Sequence, residues 1–180
     1  MDLETSNLNP SFGLLLCWGI KTFDSEETFQ GRITEKDLQG ETAADLDIRL
    51  VEECANVLGR YETVITYNGT TFDIPWLRTK ALRSKIPFPI YGSIWHIDLF
   101  KVCKSRLRLG KRWPSLDLVC AYFGINWKTR TDWDDWLLAM VRADEKSVNS
   151  IVEHNYGDLM ATEEVYKRMS PYFKLTRTSI

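Results

Sequence analysis

The sequence predicts an α/β fold, and three observations carry that expectation. Short apolar or β-branched runs of strand length alternate with longer segments whose apolar residues recur at helical spacing. The chain has 180 residues, enough to bury a core without disulfide or metal staples. Its composition is 44% hydrophobic and 27% charged, unlike disordered or membrane-spanning chains. With no internal repeat, low-complexity linker or second unit in view, residues 1–180 are expected to form a single domain.

Taken in order, Asp2 and Glu4 are two apart, so on an extended strand both carboxylates project to one face. Gly13 to Phe23 reads as a buried strand, with Glu27 to Arg32 continuing a hairpin. Between Asp45 and Gly59, Leu46, Leu50, Val51, Cys54, Val57 and Leu58 keep helical spacing up to a glycine stop. Thr63 to Tyr67 is a short β-branched strand entering an Asn68-Gly69 turn. After Asp73, Pro75 suits the first turn of a helix through Trp76, Leu77 and Leu82, and Pro87 and Pro89 then break the chain. Ile94 to Leu99 is a candidate strand, Ser115 to Phe123 a helix stopped by Gly124, and Asp132 to Arg142 another helix. The last helix runs to about Met169 and starts either near Asp144 or at Ser150, where Ser150 and Glu153 have capping-box spacing; Gly157 is its weak point.

Several functional classes are excluded or disfavoured. The longest apolar runs, such as Leu14 to Trp18, are too short to span a bilayer. The acidic N-terminus is no secretory signal, so a cytoplasmic location is expected. Cys17, Cys54, Cys103 and Cys120 are scattered without zinc spacing and read as buried free thiols. A net charge of −2 supplies no overall basic footprint for nucleic acid. Between Lys101 and Arg112, however, Lys101, Lys104, Arg106, Arg108, Lys111 and Arg112 occur with no acid among them. They form either a solvated helix face or a local phosphate-tracking patch.

Three acidic signatures remain: Asp2-Leu3-Glu4-Thr5, Asn68-Gly69-Thr70-Thr71-Phe72-Asp73 and His154-Asn155-Tyr156-Gly157-Asp158. Carboxylates delivered by separate elements suit hard divalent cations, which take oxygen ligands. Two such ions about 4 Å apart can clamp the attacking and leaving oxygens of a phosphodiester. Each signature has an ordinary alternative: a solvated terminus, an acid at a helix N-terminus, or an i,i+4 polar pair. All three alternatives would have to hold together for the site to be absent.

The ordered pattern Asp-x-Glu-Thr, Asn-x-x-x-Phe-Asp and a base residue preceding Asp resembles the DEDD 3′–5′ exonucleases, whose fold is ribonuclease H-like. These include the proofreading domains of family-B DNA polymerases. Val64 to Leu77 is the closest match, and His96-Ile97-Asp98-Leu99, Ser115 to Leu118 and Asp158 to Thr162 resemble stand-alone members of the group. The resemblance implies a mixed central sheet flanked by helices, and ligation of two divalent cations, Mg²⁺ or Mn²⁺, by Asp2, Glu4, Asp73 and Asp158. It implies substrate contacts at Thr5, Asn68 and Phe72, and attack of metal-positioned water on the terminal phosphodiester of a single-stranded DNA 3′ end. Trp76 and Tyr67 join Phe72 as candidate base-stacking platforms.

Two departures stand out. The tyrosine branch has Tyr-x-x-x-Asp and the histidine branch His-x-x-x-x-Asp, whereas His154 stands at the tyrosine spacing from Asp158. Tyr156 falls on another helical face, which leaves His154 as the candidate general base and the branch open. Only Met1 precedes Asp2, so the first strand is expected to be shortened and its Asp2–Glu4 segment weakly held. An RNA exonuclease and a nuclease-dead module that binds nucleic acid or protein are the alternative functions. Trp133 and Trp136, on a short acidic segment, mark a candidate contact surface.

Overall fold

Alternating buried strands and amphipathic helices assemble as mixed β structure flanked by helices. The computed structural model describes residues 1–40, 42, 46–110, 112–127, 129 and 131–180. Strand β2 (Leu15–Lys21) is buried at every residue but the last, which accounts for its continuous apolar run. Strand β1 (Asp2–Thr5) pairs antiparallel with one side of β2, in the register Asp2 to Gly19, Leu3 to Trp18 and Glu4 to Cys17. Strand β3 (Thr28–Arg32) pairs antiparallel with the other side of β2. A second trio places β5 (Trp95–Asp98) between β4 (Thr63–Thr66), parallel to it, and the two-residue β6 (Thr178–Ser179), antiparallel. The Met1 amine donates to Ile65 O at 3.0 Å, linking β1 to β4.

Strand β1 is therefore firmly held. Met1 and Leu3 are buried, and the pairing runs along the strand with one register break between Glu4 and Thr5. The expectation of a weakly held Asp2–Glu4 segment is corrected: ladder bonds and two buried apolar side chains secure it.

Helix α1 (Ile48–Leu58) has Gly59 as its C-cap, as its spacing indicates, while Asp45 lies outside the described residues. Helix α2 (Asp73–Arg83) carries Pro75 in its first turn, and Leu82, expected on its apolar side, is 68% exposed. Helix α3 (Leu99–Arg106) begins where the candidate strand was expected to end, because Asp98 caps it by accepting from Phe100 N. Helix α4 (Leu116–Phe123) runs between Ser115, which accepts from Leu118 N, and Gly124 in the left-handed conformation. Helix α5 (Trp133–Arg142) leads into α6 (Glu145–Met169). Asp144 caps α6 through Ser147 N, so the Ser150–Glu153 spacing lies inside the helix.

Gly157 is a packing requirement and not a break in α6. A Cβ there would stand 2.5 Å from Trp127 O, so only glycine lets the Trp127 backbone lie against the helix. One apolar cluster joins β1, β2, α1 and α2 with the first turns of α6; a second joins β5, α3, α4 and the last turns of α6. All four cysteines are buried and none is in a disulfide, as expected. Trp136 packs on the first cluster, while Trp133 is 77% exposed. Among the described residues no helix is long and apolar enough to cross a membrane.

Candidate active site

The first two signatures meet at the backbone. Strand β4 delivers the 68–73 loop, in which Asn68 adopts φ +70° and its carbonyl accepts from Thr71 N and Phe72 N. Gly69 lies so close beneath the loop that a Cβ would sit 2.2 Å from Thr66 Oγ1. This tight turn drives Asp73 inward at the start of α2, where it is 3% exposed and Oδ1 accepts from Leu3 N at 3.0 Å. Leu3 separates Asp2 from Glu4, so the second signature is fastened to the centre of the first. Burial pushes the Asp73 carboxyl up to about 7, opposed by the nearby Met1 amine and by backbone N–H donors, and reinforced by Asp98.

The third signature meets the first from α6, which packs on β1 and β2. Asn155 Nδ2 donates to Asp2 Oδ2 at 2.8 Å and to Asp2 O at 3.2 Å. His154 Nε2 stands 4.0 Å from Glu4 Oε1. His154 Nδ1 lies 3.0 Å from Thr129 O, a carbonyl that can only accept. That bond places the ring proton on Nδ1 and leaves the Nε2 lone pair facing Glu4, the tautomer a general base needs. Asp158 is half-buried one turn beyond His154 on α6. Burial, then Glu4 and Asp2, push the Cys17 thiol up, so both carboxylates act on the same stretch of β2.

The remaining expected contacts are placed as follows. Thr5 ends β1 with Oγ1 donating to Asn7 O at 3.1 Å. Asn68 Oδ1 accepts from Thr71 Oγ1 at 2.7 Å. Phe72 is half-buried against the first apolar cluster. Trp76 is 2% exposed with Nε1 on Asn7 O, so it is a core residue and no base platform. The Tyr67 hydroxyl donates to Pro114 O at 2.7 Å, fixing that ring as a strut.

Asp98, Asp47 and Asn155 have clear structural work that was not assigned to them from the sequence. Asp98 accepts from Asn68 N, Thr70 N and Phe100 N at 2.9–3.1 Å, clamping the loop that presents Asp73. Asp47, 1% exposed, accepts from Leu15 N at 2.8 Å and pairs with Lys80, 3% exposed, also at 2.8 Å. This pair ties α1, α2 and β2 into the frame behind the site. Asn155 is fully buried in α6 with only its neighbours in the third signature to mark it.

The donor chemistry fits a hard cation, since Asp2, Glu4, Asp73 and Asp158 offer oxygens alone. Among the described residues, however, no three His, Cys, Asp or Glu side chains stand as a ready-made metal group. Asp73 and Asp2 are instead turned onto Leu3 N and Asn155 Nδ2.

The fold and its acidic site define a ribonuclease H-like α/β protein in which a central strand and two helices converge. A family model described as the RNase_H superfamily matches residues 1–170, and the chain belongs to that superfamily. It is 25% identical to a DNA polymerase of Thermococcus litoralis over 199 aligned positions, covering 87% of this chain and 11% of the polymerase. Its fold is similar to the family B DNA polymerase of the hyperthermophilic archaeon Pyrobaculum calidifontis, with a TM-score of 0.72 and 16% identity. That likeness covers 94% of this chain and 24% of the polymerase, so the chain spans a small part of both relatives.

Proposed function

We propose that residues 1–180 form a metal-dependent 3′–5′ exonuclease domain acting on the 3′ end of single-stranded DNA. The observation that carries this reading is the Asp73 to Leu3 N hydrogen bond. It fastens Asp73 of one signature to the backbone of Leu3, the residue between Asp2 and Glu4 of another, while His154 approaches Glu4 from α6. Superfamily membership and the likeness to DNA polymerases support a nuclease. Asp2, Glu4, Asp73 and Asp158 would hold two divalent cations, Mg²⁺ or Mn²⁺. When bound, these neutralise charge developing on the phosphoryl oxygens and the leaving group.

The chain's own groups supply the remainder. His154 Nε2 takes the proton of the attacking water, and its Nδ1–H, held by Thr129 O, keeps the imidazole in the accepting tautomer. Asn155 holds the Asp2 carboxylate toward α6. Thr5, at the end of β1, and Asn68 and Phe72, just before α2, would contact the terminal nucleotides.

A binding module without hydrolysis is the second reading, favoured by the absence of a ready-made metal group among the described residues. One experiment separates the two. Single-stranded DNA, duplex DNA and RNA, each 5′-labelled, are incubated with the protein and Mg²⁺ or Mn²⁺. Stepwise shortening of single-stranded DNA, absent with Asp73→Asn, supports the exonuclease. Preferential shortening of RNA transfers the activity to RNA. Intact substrates, with no rise in melting temperature on adding Mn²⁺, leave the binding module.

A further inference from the structure

The basic run around α3 divides in the folded chain. Lys104 turns to Trp113, its ammonium 3.5 Å from the ring centroid, and Arg112 approaches the same ring at 5.9 Å. Lys101 and Arg106 face the other way and meet Lys174 from the segment after α6 across a cleft of about 280 Å³. A second cleft, of about 680 Å³, shares Arg106, Lys174 and Thr176 with the first and adds Arg177. Through these shared residues the two clefts make one trough. Lys101, Arg106, Lys174 and Arg177 are exposed, and among the described residues none forms an ion pair. Elsewhere Lys21, Arg49, Lys80 and Lys167 are all paired with carboxylates.

The acid in the trough wall is Asp98, and its oxygens accept from three backbone amides. Unpaired cations gathered on a chain of net charge −2 demand a polyanion. The trough also offers hydroxyls at Thr70 and Thr176, and Thr70 Oγ1 is buried without a hydrogen-bond partner. Tyr166 and Phe173 line the second cleft, an apolar and aromatic floor beside the cations. Cations that track a backbone beside aromatic surface suit single-stranded nucleic acid. Thr70 also belongs to the loop that presents Asp73 and is clamped by Asp98 in the trough wall.

We infer that this trough, between α3 and residues 173–178, binds the phosphates of a single-stranded nucleic acid several nucleotides away from the hydrolysed end. Its ligand class rests on the nuclease reading, but its test does not require hydrolysis. The probe is 5′-fluorescein dT12, titrated by anisotropy in EDTA at several salt concentrations. The variant is Lys101→Glu/Arg106→Glu/Lys174→Glu/Arg177→Glu, with the Gln counterpart at the same positions as a milder form. Binding of dT12 should weaken at least about tenfold in the Glu variant and less in the Gln variant. The slope of log affinity against log salt should fall by roughly 0.7 for each phosphate that the variant no longer neutralises. Hydrolysis of the p-nitrophenyl ester of thymidine 5′-monophosphate, too short to reach the trough, should be unchanged.

Unchanged dT12 affinity in the folded variants overturns the inference, as does failure of the native protein to bind dT12. Equal loss of dT12 binding and ester hydrolysis overturns it too, because the damage then lies in the active site. A twelve-residue poly-Glu peptide that competes as well as dT12 overturns the nucleic-acid assignment. If the fourfold variants do not fold, Lys101→Gln/Arg106→Gln and Lys174→Gln/Arg177→Gln must each show part of the weakening. If the native protein hydrolyses neither DNA nor the ester, yet dT12 binding weakens in the variant, the exonuclease reading fails and the trough stands.

Discussion

Asp73 and Asp98 occupy equivalent places in two successive strand-to-helix connections, yet their surroundings differ. Asp98 follows β5, is 5% exposed and accepts from three backbone amides. Asp73 follows the β4 loop, is 3% exposed and takes one amide from another element, Leu3 N, as burial pushes it up to about 7. A buried carboxylate whose lone pairs are filled by amides is a strut; one left short of donors is reserved for a cation, a proton or a ligand. The comparison marks Asp98 as a structural acid and leaves Asp73 as the acid proposed for chemistry.

The sharpest way to break it is to remove each carboxylate in turn. Asp73→Asn keeps an oxygen for Leu3 N and removes the charge, so it should abolish hydrolysis of a labelled oligonucleotide with little change in the thermal melt. Asp98→Ala strands three amides, at about 1 kcal/mol or more each, and should lower stability by roughly 3 kcal/mol in a urea titration. If Asp73→Asn unfolds the protein while Asp98→Ala leaves its stability intact, the assignment is reversed.

His154 comes next. His154→Ala should cut turnover by about 10²–10⁴-fold if the imidazole is the general base, with the Mn²⁺ concentration dependence little altered. A decrease under about threefold would return it to an ordinary helix-surface histidine. His154→Tyr tests the branch, since substantial retained activity would place the chain beside the tyrosine branch despite its histidine.

A smaller effect is expected at Asn155, which bonds Asp2 from inside α6. Partners that orient a ligand typically contribute about 10–100-fold to metal affinity. Asn155→Ala should therefore raise the Mn²⁺ needed for half-maximal activity by about tenfold, with the maximal rate largely kept. A fall in maximal rate at saturating Mn²⁺ would show general damage to packing instead.

The smallest expected effect is the pH dependence carried by His96, buried beside Asp98's helix cap. Thr66 Oγ1, which accepts from Gly69 N, lies within hydrogen-bond distance of His96 Nε2 at 2.8 Å. Burial lowers this histidine to about 4; Lys101 and the Met1 amine push it the same way, and Asp98 opposes them. The folded value lies below the unfolded one of about 6.5, so the unfolded chain binds the proton first as pH falls. The stability that neutral His96 contributes is present above pH 6.5 and is lost between about 6.5 and 4, on the order of 1–3 kcal/mol. His96→Gln should flatten that part of the stability-against-pH curve, whereas an unchanged slope would assign it to other groups.

Much of this molecule was legible in local spacing. A buried apolar run, a β-branched run and helical patterns located β2, β4, α1, α2, α4 and α5, because such signals are set by residues a few positions apart. Glycines and caps were legible for the same reason at Gly59, Ser115 and Gly124, where one residue decides an end. The acidic signatures were visible as short ordered strings. Gly157 was visible but misread, since the Trp127 carbonyl that requires it lies thirty residues earlier in the chain.

The amino-acid sequence by itself determined the α/β class, the positions of most elements and the candidate site residues Asp2, Glu4, Asp73, His154 and Asp158. Tertiary structure alone decided what those residues touch: that Leu3 N holds Asp73, that Asn155 holds Asp2, and that Thr129 O sets the tautomer of His154. It alone joined Asp47 to Lys80, and turned Lys101 and Arg106 toward Lys174 while Lys104 went to Trp113. The reason is physical. Secondary structure is encoded by neighbours a few positions apart, whereas hydrogen bonds and ion pairs between distant segments exist only once packing has excluded water and set their partners within reach.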